Sequence, residues 1–201
     1  MRSERAPTTR LFFAVMPDAS SRERLSALSG ETARVASGRA SAADTLHLTV
    51  VFVGSVDDAA VPAIREAGDA MRWERFTVSL DTLGSFARAG IAWAAPRDVP
   101  AALERVNRDL VAALAGRGVA TEARPYRPHV TLARRCIVPV SAPIDPPIAW
   151  TVDSVVLMSS RLLSEGPRYR PIARWDAATS PLRPVATGRV GSATHSLHEP
   201  G

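Results

Sequence analysis

The chain has 201 residues, 46% hydrophobic and 22% charged, enough apolar material for one globular domain or two small lobes sharing a core. No apolar run approaches the roughly 18 residues of a membrane span, and the charged start MRSERAPTTR leads into too short an apolar stretch for a secretory signal. The net charge is +5, all 25 basic residues are arginine, and Cys136 is the single cysteine, which excludes an intramolecular disulfide and a cysteine-rich metal site. A cytoplasmic location is the expectation that fits. Guanidinium groups stay charged, fork onto phosphate and stack on bases, so the basic surface is compatible with an anionic partner such as RNA without requiring one.

Residues 1–9 read as a loose polar lead. RLFFAVMP, Arg10 to Pro17, is a short apolar run closed by proline and predicts a strand. In DASSRERLSALSGETARVAS, Asp18 or Ser20 caps a helix whose apolar face includes Leu25, Leu28 and Val35. Asp44 to Gly54 predicts a second strand. DDAAVPAIREAGDAMRW predicts a helix that buries Val61, Ile64 and Met71, with Pro62 suited to its first turn. RFTVSLDTLGSF alternates Phe76, Val78 and Leu80 with Thr77, Ser79 and Asp81, a half-buried strand, and GIAWAAP is a short partner.

The clearest helix is VPAALERVNRDLVAALAGRG. Leu103, Val106, Leu110, Val111 and Leu114 recur at helical spacing, and Gly116 and Gly118 stop it. Tyr126 to Arg135 predicts a strand, VPVSAPIDPPIA a proline-rich loop, and WTVDSVVLMSSRLL and RYRPIARWD two more strands. From Ala177 the composition shifts to small polar residues and proline, which predicts a disordered tail over 177–201. The order β-α-β-α-β-β-α-β-β-β, with hairpins, predicts an α+β fold with antiparallel pairing.

Two segments break the apolar pattern in the same way. LHLTVVFVG and YRPHVTLARR each carry His, one apolar residue, Thr, then another apolar residue. Residues two apart on a strand share a face. His47 therefore shares one face with Thr49, and His129 with Thr131, while Leu48, Val50, Val130 and Leu132 point into a core. The chain holds only two other histidines, His195 and His198, in the tail. Facing strands of this kind suit a phosphodiester: a neutral imidazole activates water, a protonated one serves the departing oxygen, and the hydroxyls donate to phosphate oxygens. The competing reading, a metal held by the two histidines and Cys136, lacks a tight ligand cluster.

Taken with RLFFAVMP and LMSSRLLSEGPRYRPIARWD, the two His-x-Thr segments resemble the 2H phosphoesterase superfamily. Within it they resemble the bacterial RNA 2′,3′-cyclic phosphodiesterases, the ThpR or LigT-like 2′-5′ RNA ligases. The resemblance spans residues 10–176 and implies a single bilobal domain: two antiparallel sheets around a central cleft, with helices outside. It implies metal-independent hydrolysis of RNA 2′,3′-cyclic phosphate ends to 2′-phosphate ends, without a cofactor, and a possible reverse 2′-5′ joining of RNA ends; a monomer is the separate expectation. It implies His47 as proton donor, His129 as proton acceptor, and Thr49 and Thr131 as holders of phosphate oxygens.

The family pattern also points to Phe52 and Arg134, each five residues after its histidine, as substrate-binding positions, one for a base and one for phosphate. Simple alternation sets both on the face away from the histidine. Either reaches the cleft only if its strand twists, bulges or ends first. Two alternatives stay open: an RNA-end-binding protein of the same fold without catalysis, and a phosphodiesterase for small cyclic nucleotides.

Overall fold

The structure, a computed structural model, describes residues 8–163 and 166–178. Most of the expected lead and tail, with His195 and His198, lies outside the described residues. Thr8 and Thr9, expected in the lead, belong to the first strand.

Strand β1 (Thr8–Val15) opens the fold. Asp18 then caps α1 (Ala19–Val35), its carboxylate accepting the Ser21 N–H at 2.7 Å. That bond holds its carboxyl below the ordinary range. The buried face of α1 runs through Leu25, Ser29, Thr32 and Ala33. Val35, expected on that face, is exposed. It stands two residues past Ala33, on the far side of a helix with 3.6 residues per turn.

A two-residue strand β2 (Arg39–Ala40) and a 3-10 turn at Ala43–Thr45 lead into β3 (Leu48–Asp57). The strand expected from Asp44 therefore starts later, and His47 stands at its threshold. Helix α2 (Val61–Asp69) carries Pro62 in its first turn and buries Ile64 fully, with Val61 and Met71 half-buried. Strands β4 (Phe76–Phe86) and β5 (Ile91–Ala95) form the expected hairpin. Helix α3 (Ala101–Ala115) buries Leu103, Val106, Leu110 and Leu114, with Val111 half-buried.

After β6 (Val130–Arg134), the proline-rich segment expected as a loop is strand β7 (Ala142–Val152). It is one of the two edge strands and, among the described residues, pairs only with β4. An edge strand tolerates proline because one of its two sides has no ladder partner to receive an N–H. Strands β8 (Ser154–Leu163) and β9 (Gly166–Asp176) close the fold as a hairpin.

The strands line up as β7-β4-β5-β6-β3-β1-β8-β9, with β2 beside β6 and every pairing in the sheet antiparallel. The order is mirrored about its centre: β3 answers β6, β1 answers β5, β8 answers β4 and β9 answers β7. The inner strands share a single residue pair, Leu48 with Val130. The two expected sheets are thus two four-stranded arms, fused at that one pair into a continuous sheet.

Each arm's crossing helix packs beneath the other arm. Helix α1, between β1 and β3, lies on β6 and β7, and α3, between β5 and β6, lies on β3 and α2. A single apolar core joins the helices to both arms through Phe13, Leu25, Ile64, Leu110, Val130 and Leu132. Deleting a ring such as that of fully buried Phe13 costs about 3–5 kcal/mol. The covered face is the one opposite Thr49 and Thr131. Among the described residues no helix is long and apolar enough to cross a membrane.

Candidate active site

A cleft of about 1550 Å³ opens where the arms meet, and His47, Thr49, His129 and Thr131 all line it. The expected parity holds at the start of each motif: Leu48, Val50, Val130 and Leu132 are buried in the core, and the His and Thr residues between them are not. Both histidines sit just before their strands, and the same local bond orients each. The His47 Nδ1 lies 2.7 Å from the Thr45 carbonyl oxygen, and the His129 Nδ1 lies 2.7 Å from that of Arg127. A carbonyl can only accept, so Nδ1 carries the proton in both rings and Nε2 is left for the cleft.

Alternation then breaks, at the same place in both strands. In β3, Phe13 pairs with Val51 and Ala14 with Thr49, so Val50 is an extra residue. In β6, Ala92 pairs with Ala133 and Trp93 with Thr131, so Leu132 is extra. Each bulge sits three residues after its histidine and buries two consecutive side chains, Val50 with Val51 and Leu132 with Ala133. Parity reverses beyond it. Phe52 and Arg134 are thereby returned to the histidine face, and both line the cleft.

The surroundings of the two histidines differ. His47 is packed by Phe12, with ring centroids 4.8 Å apart, and by the edge of Tyr169 at 5.1 Å. Phe52 joins Phe12, Met158 and Tyr169 in a small apolar cluster on the cleft face, and the Arg10 guanidinium lies 4.9 Å from its ring centroid. Among the described residues His129 meets one aromatic ring, Phe86, in a T-shaped contact at 5.1 Å. Phe86 leans on Trp93 at 5.5 Å, and Trp93 lies across Gly84, where an added Cβ would come within 2.3 Å of the indole.

Burial is the main cause that pushes the His47 pKa down to about 4. The bond to the Thr45 carbonyl opposes it, and the charges of Arg134 and His129 add to it. Burial also lowers His129, with the Arg127 carbonyl opposing and Arg134 adding. Burial raises the Tyr169 hydroxyl, while Arg134 and Arg10 pull it back. Arg134 therefore acts electrostatically on both imidazoles and on Tyr169, which stands on β9 in the other arm. Both histidine shifts favour the neutral imidazole, with a lone pair on Nε2. An anion between them favours protonation of either ring.

Sequence reasoning missed Phe12, Phe86, Tyr169 and Arg10, the residues that pack the motif positions. Phe12 and Arg10 stand two apart on β1, and Tyr169 lies in the RYRP segment, but strand pairing is what brings them to the cleft. Tyr126, ahead of the second motif, is half-buried and donates its hydroxyl to the Thr49 carbonyl at 3.2 Å. Among the described residues no group of three His, Cys, Asp or Glu side chains stands close enough to hold a metal ion.

The chain is similar to several known proteins. The RNA 2′,3′-cyclic phosphodiesterase of Escherichia coli (strain K12) is 32% identical over 168 residues, covering 83% of this chain and 95% of the relative. An RNA 2′,3′-cyclic phosphodiesterase of Aeropyrum pernix is 28% identical over 149 residues, covering 68% and 85%. Among solved structures, E. coli LigT complexed with 3′-AMP superposes with a TM-score of 0.79 at 30% identity, covering 86% of this chain and all of that one. The model of the 2′-5′ RNA ligase superfamily matches residues 17–162, and the chain belongs to that family.

Proposed function

We propose that the chain hydrolyses RNA 2′,3′-cyclic phosphate ends to 2′-phosphate ends, by paired-histidine acid–base catalysis that needs no metal. Residues 10–176 act as one bilobal unit, and the substrate is RNA of the cytoplasm. The observation that carries this reading is the matched pair of imidazoles, each fixed through Nδ1 and presenting Nε2 to one cleft. The names of the relatives support the choice of substrate.

In the reaction, His129 Nε2 takes a proton from water as the water oxygen bonds to phosphorus. The P–O3′ bond breaks, and His47 gives its proton to the departing O3′. The products are a 2′-phosphate and a free 3′-hydroxyl. Thr49, Thr131 and Arg134 stabilise the charge on the non-bridging oxygens, and Phe52 stacks on the base. The assignment of donor and acceptor follows the family pattern. In the free protein His47 is strongly resistant to protonation. The substrate's own negative charge opposes that resistance, so binding loads the donor. When a 5′-hydroxyl takes the place of water, losing its proton to His129 as its oxygen bonds to phosphorus and P–O3′ breaks, the same ring opening yields a 2′-5′ linkage, the ligation.

The deciding experiment gives EDTA-treated protein an oligonucleotide ending in a 2′,3′-cyclic phosphate and identifies the product end. A 2′-phosphate is expected. No turnover, or turnover restored only by added metal, overturns the reading.

A further inference from the structure

Each bulge creates a problem that its strand cannot solve. The extra residue of a bulge has no ladder partner, and its carbonyl needs a donor from elsewhere. The extra residues are Val50 in β3 and Leu132 in β6. In β3 the Val50 carbonyl accepts the side-chain amide of Asn107 at 2.7 Å. In β6 the Leu132 carbonyl accepts the Ser29 hydroxyl at 2.7 Å and the Ser41 N–H at 2.8 Å.

Asn107 lies on α3 and Ser29 on α1, the two helices that correspond across the mirrored strand order. The same solution is therefore built twice: a polar side chain on the crossing helix caps the carbonyl three residues after the histidine of the other arm. Neither residue suits its place as plain core material. Ser29 is fully buried on the apolar face of its helix. Asn107 rises beside the apolar residues of α3 and also lines the cleft. Both are intelligible as donors.

We infer that Asn107 and Ser29 are positioning residues, which cap the bulge carbonyls of the two motif strands and so set the face on which Phe52 and Arg134 stand. Loss of the Asn107 cap orphans the Val50 carbonyl and favours regular pairing there, while loss of the Ser29 cap leaves Leu132 the Ser41 N–H and weakens its bulge less. Regular pairing turns Phe52 and Arg134 away from the histidines. The consequence for turnover rests on the function proposed above; the consequence for side-chain placement does not.

Two variants test this. Asn107→Leu keeps the size and removes the donor, and Ser29→Ala removes the hydroxyl. In nuclear Overhauser spectra the contact between the Phe52 ring and the Arg10 side chain should vanish in Asn107→Leu. The contact between Arg134 and the Tyr169 ring should weaken in Ser29→Ala, where the Ser41 N–H still serves the carbonyl. Affinity for adenosine 3′-phosphate should fall about tenfold in the first variant and about threefold in the second.

A pairwise cycle separates positioning from general destabilisation. Asn107→Leu added to Phe52→Ala should weaken binding no further than Phe52→Ala alone, and Ser29→Ala added to Arg134→Ala should behave alike. Intact Overhauser contacts in both variants, or fully additive losses in the cycles, overturn the inference. Should the wild type fail to open a cyclic phosphate, the proposed function falls, and the Overhauser contacts still decide this one.

Discussion

The two arms share a backbone and differ in what they hang on it. Both present His and Thr two residues apart, tie Nδ1 to the carbonyl two residues back, and bulge at the third residue after the histidine. At the fifth residue they part: one arm offers Phe52, the other Arg134. The first arm surrounds its histidine with Phe12 and Tyr169, and the second leaves His129 one aromatic neighbour. On the proposed function, one scaffold is specialised in two ways, an aromatic ring at the fifth position in one arm and a guanidinium in the other. On that proposal the symmetry serves acid–base chemistry and the asymmetry substrate recognition.

Breaking the symmetric part should cost most. His47→Ala and His129→Ala are each expected to lower kcat by about 10² to 10⁴-fold, the usual worth of a positioned acid or base. Near-normal kcat in either variant would end the equivalence of the arms. Thr49→Val and Thr131→Val should each lower kcat by about 10²-fold with the fold intact, as loss of one donor to a charged oxygen does elsewhere; steady-state kinetics on both shows whether the arms share that load.

The asymmetric part should separate in kinetics. Phe52→Ala should raise KM about tenfold with kcat nearly kept, since base stacking is worth roughly 1–3 kcal/mol. Arg134→Ala should lower kcat, because its charge acts where phosphate charge develops. Equal patterns from the two variants would erase the specialisation.

Acidity sharpens the contrast further. Folded His47 has its pKa lowered from 6.5 to about 4, so the unfolded chain binds that proton first as pH falls. The stability contributed by neutral His47 is therefore complete above pH 6.5 and is lost between 6.5 and about 4. Thermal midpoints should fall across that window, and less so in His47→Gln. In activity, an anionic substrate raises both rings, so the pH limbs of kcat should lie above those of kcat/KM. Coincident profiles would show that binding does not load the donor.

The smallest effect is expected at a distance. Gly84→Ala places a methyl against Trp93, which supports Phe86, which touches His129. A stability loss of about 1–3 kcal/mol should accompany a drop in kcat of only a few-fold, and a matching change around His47 should be absent.

Most of the secondary structure was legible because apolar spacing dictates it. Leu103, Val106, Leu110 and Leu114 declare α3, and Phe76, Val78 and Leu80 declare β4. The segment around Pro143, Pro146 and Pro147 was not legible as β7. Proline breaks a strand only where both edges need N–H groups, and edge position depends on the assembled sheet. The motif histidines and threonines were visible from their recurrence. The cleft placement of Phe52 and Arg134 was written less openly, in the doublets Val50–Val51 and Leu132–Ala133, where two apolar neighbours interrupt alternation. Phe12 and Tyr169 reach His47 through pairing of strands far apart in the chain, and no local pattern announces such a register.

The bulges also make each motif strand a ruler. Side-chain parity behaves like a reading frame. Removing one residue between His47 and Phe52, or between His129 and Arg134, would exchange wall for core across the rest of that strand. Insertions and deletions should therefore be barred from these two six-residue intervals. The frame is set twice, once in each arm, by an interval of the same length.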